Sequence, residues 1–204
     1  MIISFSLILS LATAAIAPGT FLQEEAAYVQ TIMLQRRAKD EEFKQSAESP
    51  LLEKDRRAFQ GLHYFPIAVN YRFTGAIVKN SKPETLELVT SNGRTKKAHR
   101  YGSFTFQMNG QTHRLQVYKL LDLPAPYQNY LFIPFTDAAS GEESYGGGRY
   151  IDLIEQKSKE YVVDFNLAYN PSCAYGRNDF SCPLPPQENH LPVSIAAGEK
   201  KWKE

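Results

Sequence analysis

The sequence predicts a mainly β, α+β domain: an antiparallel barrel or sandwich of about eight strands with two helices at its N-terminus. Three observations carry this. Helical spacing of apolar residues is confined to the first sixty or so positions. From His63 onward, short runs rich in β-branched and aromatic residues follow one another, each bounded by Gly, Pro or Asn. Two Asn-Gly pairs, Asn92-Gly93 and Asn109-Gly110, sit between such runs and supply the left-handed conformations that a two-residue hairpin turn requires. The chain has 204 residues, 43% of them apolar, with 12 Tyr and 12 Phe, which is enough to bury one sizeable core.

Residues 1–17 read as a secretory signal. Ile2 to Ala17 carry no charge and consist mainly of Ile, Leu, Phe, Ser and Ala, with small residues placed for cleavage after Ala14 or Ala17. A membrane anchor is the alternative, and Pro18 and Gly19 argue against it. The expected location is therefore periplasmic or secreted, with no stable membrane span once the signal is removed. Thr20, followed by Gln23, reads as a capping box opening a helix from about Phe21 to Lys44. Leu22, Ala26, Val29, Met33 and Phe43 recur at helical spacing, interrupted by Arg36 and Asp40, so residues 18–47 form an amphipathic helix that packs on the domain. Ser49 then offers an N-cap, Pro50 a first helical position and Gly61 a stop for a short second helix anchored by Leu51, Leu52, Ala58 and Phe59. Residues 48–204 make up the single mostly-β domain.

The expected strands are 67–78, 85–90, 103–108, 112–120, 130–135, 149–154, 161–168 and 191–196. Placing Asn109-Gly110 in a two-residue loop sets Met108 opposite Gln111, Phe106 opposite His113 and Phe104 opposite Leu115. Apolar residues then share one face, and Arg114 and Gln116 the other. His113 accordingly faces the core. The same geometry at Asn92-Gly93 sets Leu88 against Lys97, as at a sheet edge.

Charge narrows the partners. With 23 basic and 22 acidic residues the chain has no global field, and Lys96, Lys97, His99 and Arg100 read as a solvated hairpin face. Nucleic acid is not an expected partner.

Several strings carry a family resemblance: ESPL at Glu48–Leu51, FxGLxYFP at Phe59–Pro66, FxDxxSGxExYGGGRYID at Phe135–Asp152, and DFNxAYNPxCAY from Asp164, followed by CPLPPxEN and AGEK. Together they resemble the prokaryotic family known as domain of unknown function 1684 (DUF1684), over about Glu48 to Lys200. The resemblance implies no particular activity. Relatives with a lipid-bearing Cys point to an exported lipoprotein, and this chain lacks that Cys.

Asp164 to Pro186 is the densest segment, joining two cysteines, four aromatics and four prolines to Asp164, Asn166, Asn170 and Asp179. Cys173 and Cys182 are the only cysteines, and in an oxidising compartment a disulfide is the simplest reading. The alternatives are free thiols, or a metal site completed by His190 and a carboxylate, although the separation is wider than that of a zinc knuckle. No metal or cofactor is expected. Gly146-Gly147-Gly148 beside Arg149 permits an anion nest, but a strand rather than a helix follows, so a bulged connection held by Arg149 with Glu143, Asp152 or Asp164 is favoured.

Catalysis by paired carboxylates would draw on Asp137, Glu143, Asp152, Asp164 and Glu188. Ser140 lacks the setting of a nucleophile elbow. The favoured reading is a non-catalytic binding or envelope-associated module, its partner a small ligand or an envelope component. Its pocket is framed by Glu143, Tyr145, Arg149, Asp164, Asn166, Tyr169, Asn170, Tyr175 and His190. A hydrolase using carboxylates of this region is the alternative, and a purely structural motif the third.

Overall fold

The computed structural model describes residues 18–203. The expected signal segment and its two expected cleavage positions lie outside the described residues.

Two helices come first, α1 at Pro18–Gln45 and α2 at Glu53–Arg57. Seven strands follow: β1 Arg72–Val89, β2 Thr95–Met108, β3 Gln111–Leu120, β4 Tyr130–Asp137, β5 Arg149–Ile154, β6 Glu160–Asp164 and β7 His190–Leu191. Six of them pair antiparallel in the order β5-β4-β3-β2-β1-β6, and β7 adds to β4 in parallel. The sheet curls until β5 approaches β6, giving a nearly closed barrel.

The expected strand count falls from eight to seven because the first two runs form one strand. β1 continues through Lys82-Pro83 by shifting register between Lys79 and Glu84. β2 shifts between Arg100 and Gly102, where a Cβ on Gly102 would lie 2.4 Å from Val78 O. The irregularity therefore needs glycine there. Of the run expected at 191–196 only Leu191 is in a strand, because the chain then turns inward to contact Arg149. The last residues of the 161–168 run coil instead into a 3₁₀ turn, Phe165–Leu167, with the Asp164 side chain accepting from Asn166 N.

The hairpin at Asn109-Gly110 has the expected register: Met108 opposite Gln111, Phe106 opposite His113 and Phe104 opposite Leu115. Both loop residues have positive φ, 53° and 73°. His113 is buried beside Phe106. The earlier hairpin pairs Leu88 with Lys96, one residue from the expected partner, because Thr90 N bonds Arg94 O around a three-residue loop ending at Gly93.

The barrel interior is filled. Phe104, Phe106, Leu115, Val117, Leu131, Ile133, Phe135 and Phe165 are all in the core. Alternate residues Tyr118, Phe132 and Tyr150 with Leu88 form a second cluster on the opposite face. The Pro-rich segment covers it: Tyr150 donates its hydroxyl to Pro183 O, and Leu184 N bonds Val89 O.

The short second helix begins later than expected, at Glu53 with Leu52 in the capping position. Ser49 instead donates to Phe43 O and receives Leu51 N, ending α1. Leu51, bridged to Gly176, must stay extended. Leu51 and Phe59 are buried with Phe43 and Tyr175 in a third cluster, whereas Ala58 is exposed.

Candidate functional site

The face that α1 presents to the barrel is not the expected apolar stripe. Leu22 is 71% exposed and Met33 43%, whereas Ile32 and Phe43 are buried. Around those two anchors the contacts are polar, because the surface they meet displays carboxylates and carbonyls. The interrupting residues Arg36 and Asp40 belong to the docking face.

Four side chains, Tyr28, Arg36, Lys39 and Asp40, build this latch from the helix side. Tyr28 donates its hydroxyl to Asp164, at 2.9 Å from Oδ2, and receives Asn166 Nδ2 at 2.8 Å. Burial and then Asp164 push the Tyr28 hydroxyl up, so it remains a donor. Arg36 donates to Phe65 O at 3.0 Å and to Asn166 O at 3.4 Å, with its guanidinium 4.3 Å from the centre of the Tyr64 ring. Lys39 donates to Glu199 Oε1 at 2.5 Å, its ammonium also lying 4.7 Å from the Tyr169 ring centre. The next residue, Asp40, accepts Leu62 N at 2.9 Å.

Glu199 is the hub on the barrel side. It is 1% exposed, and its Oε2 accepts Asn170 N at 2.8 Å and Tyr175 OH at 2.5 Å. Gly198 brings it there: with φ +78° and a hypothetical Cβ 2.5 Å from Ala168 O, only glycine passes so close to the 165–168 turn. The carboxylate is thus fully bonded, as a buried charge must be.

A groove follows the seam between α1 and this segment. Its inner end is a cavity of about 150 Å³ lined by Gln35, Arg36, Lys39, Tyr64, Asn166, Leu167, Ala168, Tyr169 and Glu199. A broader hollow of about 500 Å³ continues past Lys39 and Tyr169 to Asn170, Tyr175, Phe43 and the acidic rim residues Glu42 and Glu48. Arg36 Nε, Tyr64 OH and Asn170 Oδ1 are buried atoms without a hydrogen-bond partner among the described residues. Burial pulls the Arg36 guanidinium below its usual value and pushes the Tyr64 hydroxyl up, so Tyr64 too stays protonated.

Of the candidates named from sequence, Asn166, Tyr169, Asn170 and Tyr175 line this groove. The others lie elsewhere. Asp164 is bonded beneath Tyr28, with Arg72 Nε at 4.0 Å. Glu143 is exposed and pairs with Lys200 at 3.3 Å, beside an open hollow of about 570 Å³ whose charged lining is largely solvated. Half-buried Tyr145 covers Gly147 with its ring. His190 is exposed on β7, with Nδ1 3.0 Å from Thr136 Oγ1.

Arg149 corrects the expectation for the glycine triplet. Its partner is Asp137, not Glu143, Asp152 or Asp164: Arg149 Nη2 donates to Asp137 Oδ2 at 3.1 Å. The same guanidinium donates to the carbonyls of Ile195, Ala197 and Glu199. Both ionic side chains are fully buried, and Asp137 also accepts Ile195 N and Ser140 Oγ. Arg149 therefore threads the C-terminal strap onto the barrel. Gly148, φ +84°, makes room beside Phe135 O and Pro185.

Cys173 and Cys182 are at bonding distance, 2.18 Å, and form the disulfide. Among the described residues no cluster of His, Cys, Asp or Glu is arranged to hold a metal ion. Nor is any described helix long and apolar enough to cross a membrane. The five carboxylates considered for hydrolysis are tied to separate partners, with Asp152 accepting Tyr169 OH at 2.6 Å and Glu188 receiving Tyr118 OH and Arg100.

Sequence reasoning missed Arg36, Lys39, Tyr64 and Glu199 as a set. The signals were present: positions 32, 36, 39 and 43 share one helical face, and Tyr64 and Glu199 stand inside the strings FxGLxYFP and AGEK.

Comparison with known proteins agrees with this frame. Among curated proteins none matches. A solution NMR structure of an uncharacterized protein from Haloarcula marismortui is similar, with 34% identity, a TM-score of 0.67, and coverage of 87% of this chain and 96% of that one. Residues 57–200, with the latch residues Tyr64, Asp164, Asn166 and Glu199 among them, match the family described as protein of unknown function (DUF1684), and the chain belongs to that family.

Proposed function

We propose that the protein is an exported, non-catalytic binding module whose ligand, a small solute or an envelope component, seats in the groove between α1 and Asn166–Tyr175. The observation that carries this reading is the continuous groove beside α1, whose two ends share Lys39 and Tyr169 and bring Tyr64, Asn166, Asn170 and Tyr175 into one lining. The barrel interior is packed, and the carboxylates are engaged in separate bonds, which favours binding over hydrolysis. Export is supported by the uncharged segment 2–17 and by the disulfide.

Amide shift mapping of the full mature chain against a mixture of small polar fragments tests the groove. Perturbations concentrated at 35–39, 64, 166–170 and 199 are expected; perturbations confined to other surfaces would overturn it. Fractionation of the native cells with N-terminal sequencing tests export. A new N-terminus after Ala14 or Ala17 is expected in the periplasmic or secreted fraction, whereas intact residue 1 in the membrane fraction would establish the anchored alternative.

A further inference from the structure

We propose that Asn109 is a site of spontaneous covalent modification, deamidation through a cyclic imide closed by the backbone nitrogen of Gly110, and that the fold protects Asn92 from the same reaction. Asparagine followed by glycine favours this ring closure, because glycine has no side chain to obstruct the approach of its own nitrogen. Both pairs lie at hairpin tips where the asparagine is exposed, and a Cβ on Gly93 or Gly110 would meet nothing within 4 Å. Sequence and exposure do not distinguish the two sites. Hydrogen bonding does.

At Asn92 both reacting groups are held. The Asn92 Oδ1 accepts Thr90 Oγ1 at 2.8 Å, Ser181 Oγ at 3.0 Å and Arg94 N at 3.4 Å. The nitrogen that would attack, Gly93 N, donates to Thr90 O at 2.9 Å. At the other hairpin neither group is held: the Asn109 side chain and Gly110 N have no hydrogen-bond partner among the described residues. Asn109 can therefore swing its Cγ toward Gly110 N without breaking a bond, whereas Asn92 reaches the reactive geometry only by giving up several.

Water is the only co-reactant. Gly110 N loses its proton to solvent and bonds to Asn109 Cγ; the Cγ–Nδ2 bond breaks, and the departing nitrogen takes up a proton and leaves as ammonia. Water then adds to one of the two ring carbonyl carbons and the C–N bond there breaks, giving aspartate or isoaspartate at position 109. Either product adds one negative charge to the hairpin tip. Isoaspartate also routes the main chain through the side-chain methylene. The two-residue loop sets Met108 opposite Gln111 and Phe106 opposite the buried His113, which leaves no slack for an added backbone atom, so the isoaspartate form is expected to be less stable.

Incubation of the full chain in mildly alkaline buffer, with both sites followed by peptide mass spectrometry, tests this through the mass gain of amide to acid and the separate elution of isoaspartate. In the folded protein Asn109 is expected to react at least about tenfold faster than Asn92, the worth of two or more hydrogen bonds between neutral groups. In urea, where those bonds are gone, the two rates are expected to converge. Ser181→Ala removes one of the bonds to Asn92 and is expected to speed that site about fivefold while leaving Asn109 unchanged, with a thermal melt verifying that the variant is folded. Equal rates in the folded protein, or faster reaction at Asn92, overturn the proposal. A ratio that persists in urea overturns protection by the fold, as does a folded Ser181→Ala variant in which Asn92 reacts no faster. Reaction at Asn109 in urea but not in the folded protein overturns the modification site, since the hairpin would then block ring closure.

Discussion

Lys39 and Glu199, separated by 160 residues of sequence, meet at 2.5 Å and join α1 to the C-terminal strap. The contact is asymmetric: Glu199 is 1% exposed and the Lys39 side chain 26%. The carboxylate thus depends on the ammonium more than the reverse. Removing one partner of a buried pair strands the other charge.

Lys39→Met is expected to destabilise the protein by about 2–4 kcal/mol, below the most severe cases because Lys39 itself reaches solvent. Urea denaturation of the two proteins at pH 7 measures it. A loss below about 0.5 kcal/mol would show that Tyr175 and Asn170 alone satisfy Glu199. The double variant Lys39→Met/Glu199→Gln should recover part of the loss, since no charge is then left buried.

The Arg149–Asp137 pair predicts a larger effect. Both side chains are fully buried, and Asp137→Asn keeps the shape but removes the negative charge facing the guanidinium. A cost of about 3–5 kcal/mol is expected, with the C-terminal strap at 195–199 losing its amide exchange protection first. Exchange measured by mass spectrometry separates this from uniform loosening of the barrel.

Acid sensitivity is expected at Glu155. Lys119, aided by Tyr101 and Lys79, holds its carboxyl down at about 2, against a reference value of 4.5. A depressed folded-state pKa gives stability that is complete above the unfolded value and lost as pH falls through the folded one. The window is therefore pH 4.5 down to 2. Because the pair is partly solvated and screened, about 1 kcal/mol is at stake. The difference in urea midpoint between wild type and Glu155→Gln should be full at pH 6 and shrink to nothing near pH 2.

Reduction of Cys173–Cys182 opens a ten-residue loop, which costs about 2.5–3 kcal/mol by chain entropy. The bridge holds the 3₁₀ turn Ser172–Tyr175 near the tip of the β1–β2 hairpin, where Ser91 N bonds Cys182 O. Cys173→Ser/Cys182→Ser is expected to lower the unfolding midpoint and to broaden amide signals at 172–182. An unchanged midpoint would show that the loop is held by packing alone.

The sequence by itself determined the register of the β2–β3 hairpin, although not that β2 begins as early as Thr95. Asn109-Gly110 demands positive φ at two neighbouring positions, and the alternation of Phe104, Phe106 and Met108 against Gln111, His113 and Leu115 admits one register, because slipping by one would turn every apolar side chain to solvent. Strand β5 was legible for the same reason, its bounds Arg149–Ile154 lying in one short apolar run. The disulfide followed from there being two cysteines in a chain read as exported. The joining of two expected strands into β1 was not legible, since Pro83 reads as a break unless a register shift accommodates it.

Tertiary structure alone decided the partner of Arg149 and the location of the groove. A guanidinium flanked by Glu143, Asp152 and Asp164 in sequence chose Asp137, because β4 and β5 are neighbours and set Phe135 opposite Arg149. Helical spacing pointed to Leu22 and Met33, but the surface that α1 meets carries Asp164 and Glu199, so Tyr28, Arg36 and Lys39 turned inward instead. The physical reason is common to both: turn chemistry and alternation act within about ten residues, whereas charges are paired by whatever the fold brings within a few ångströms.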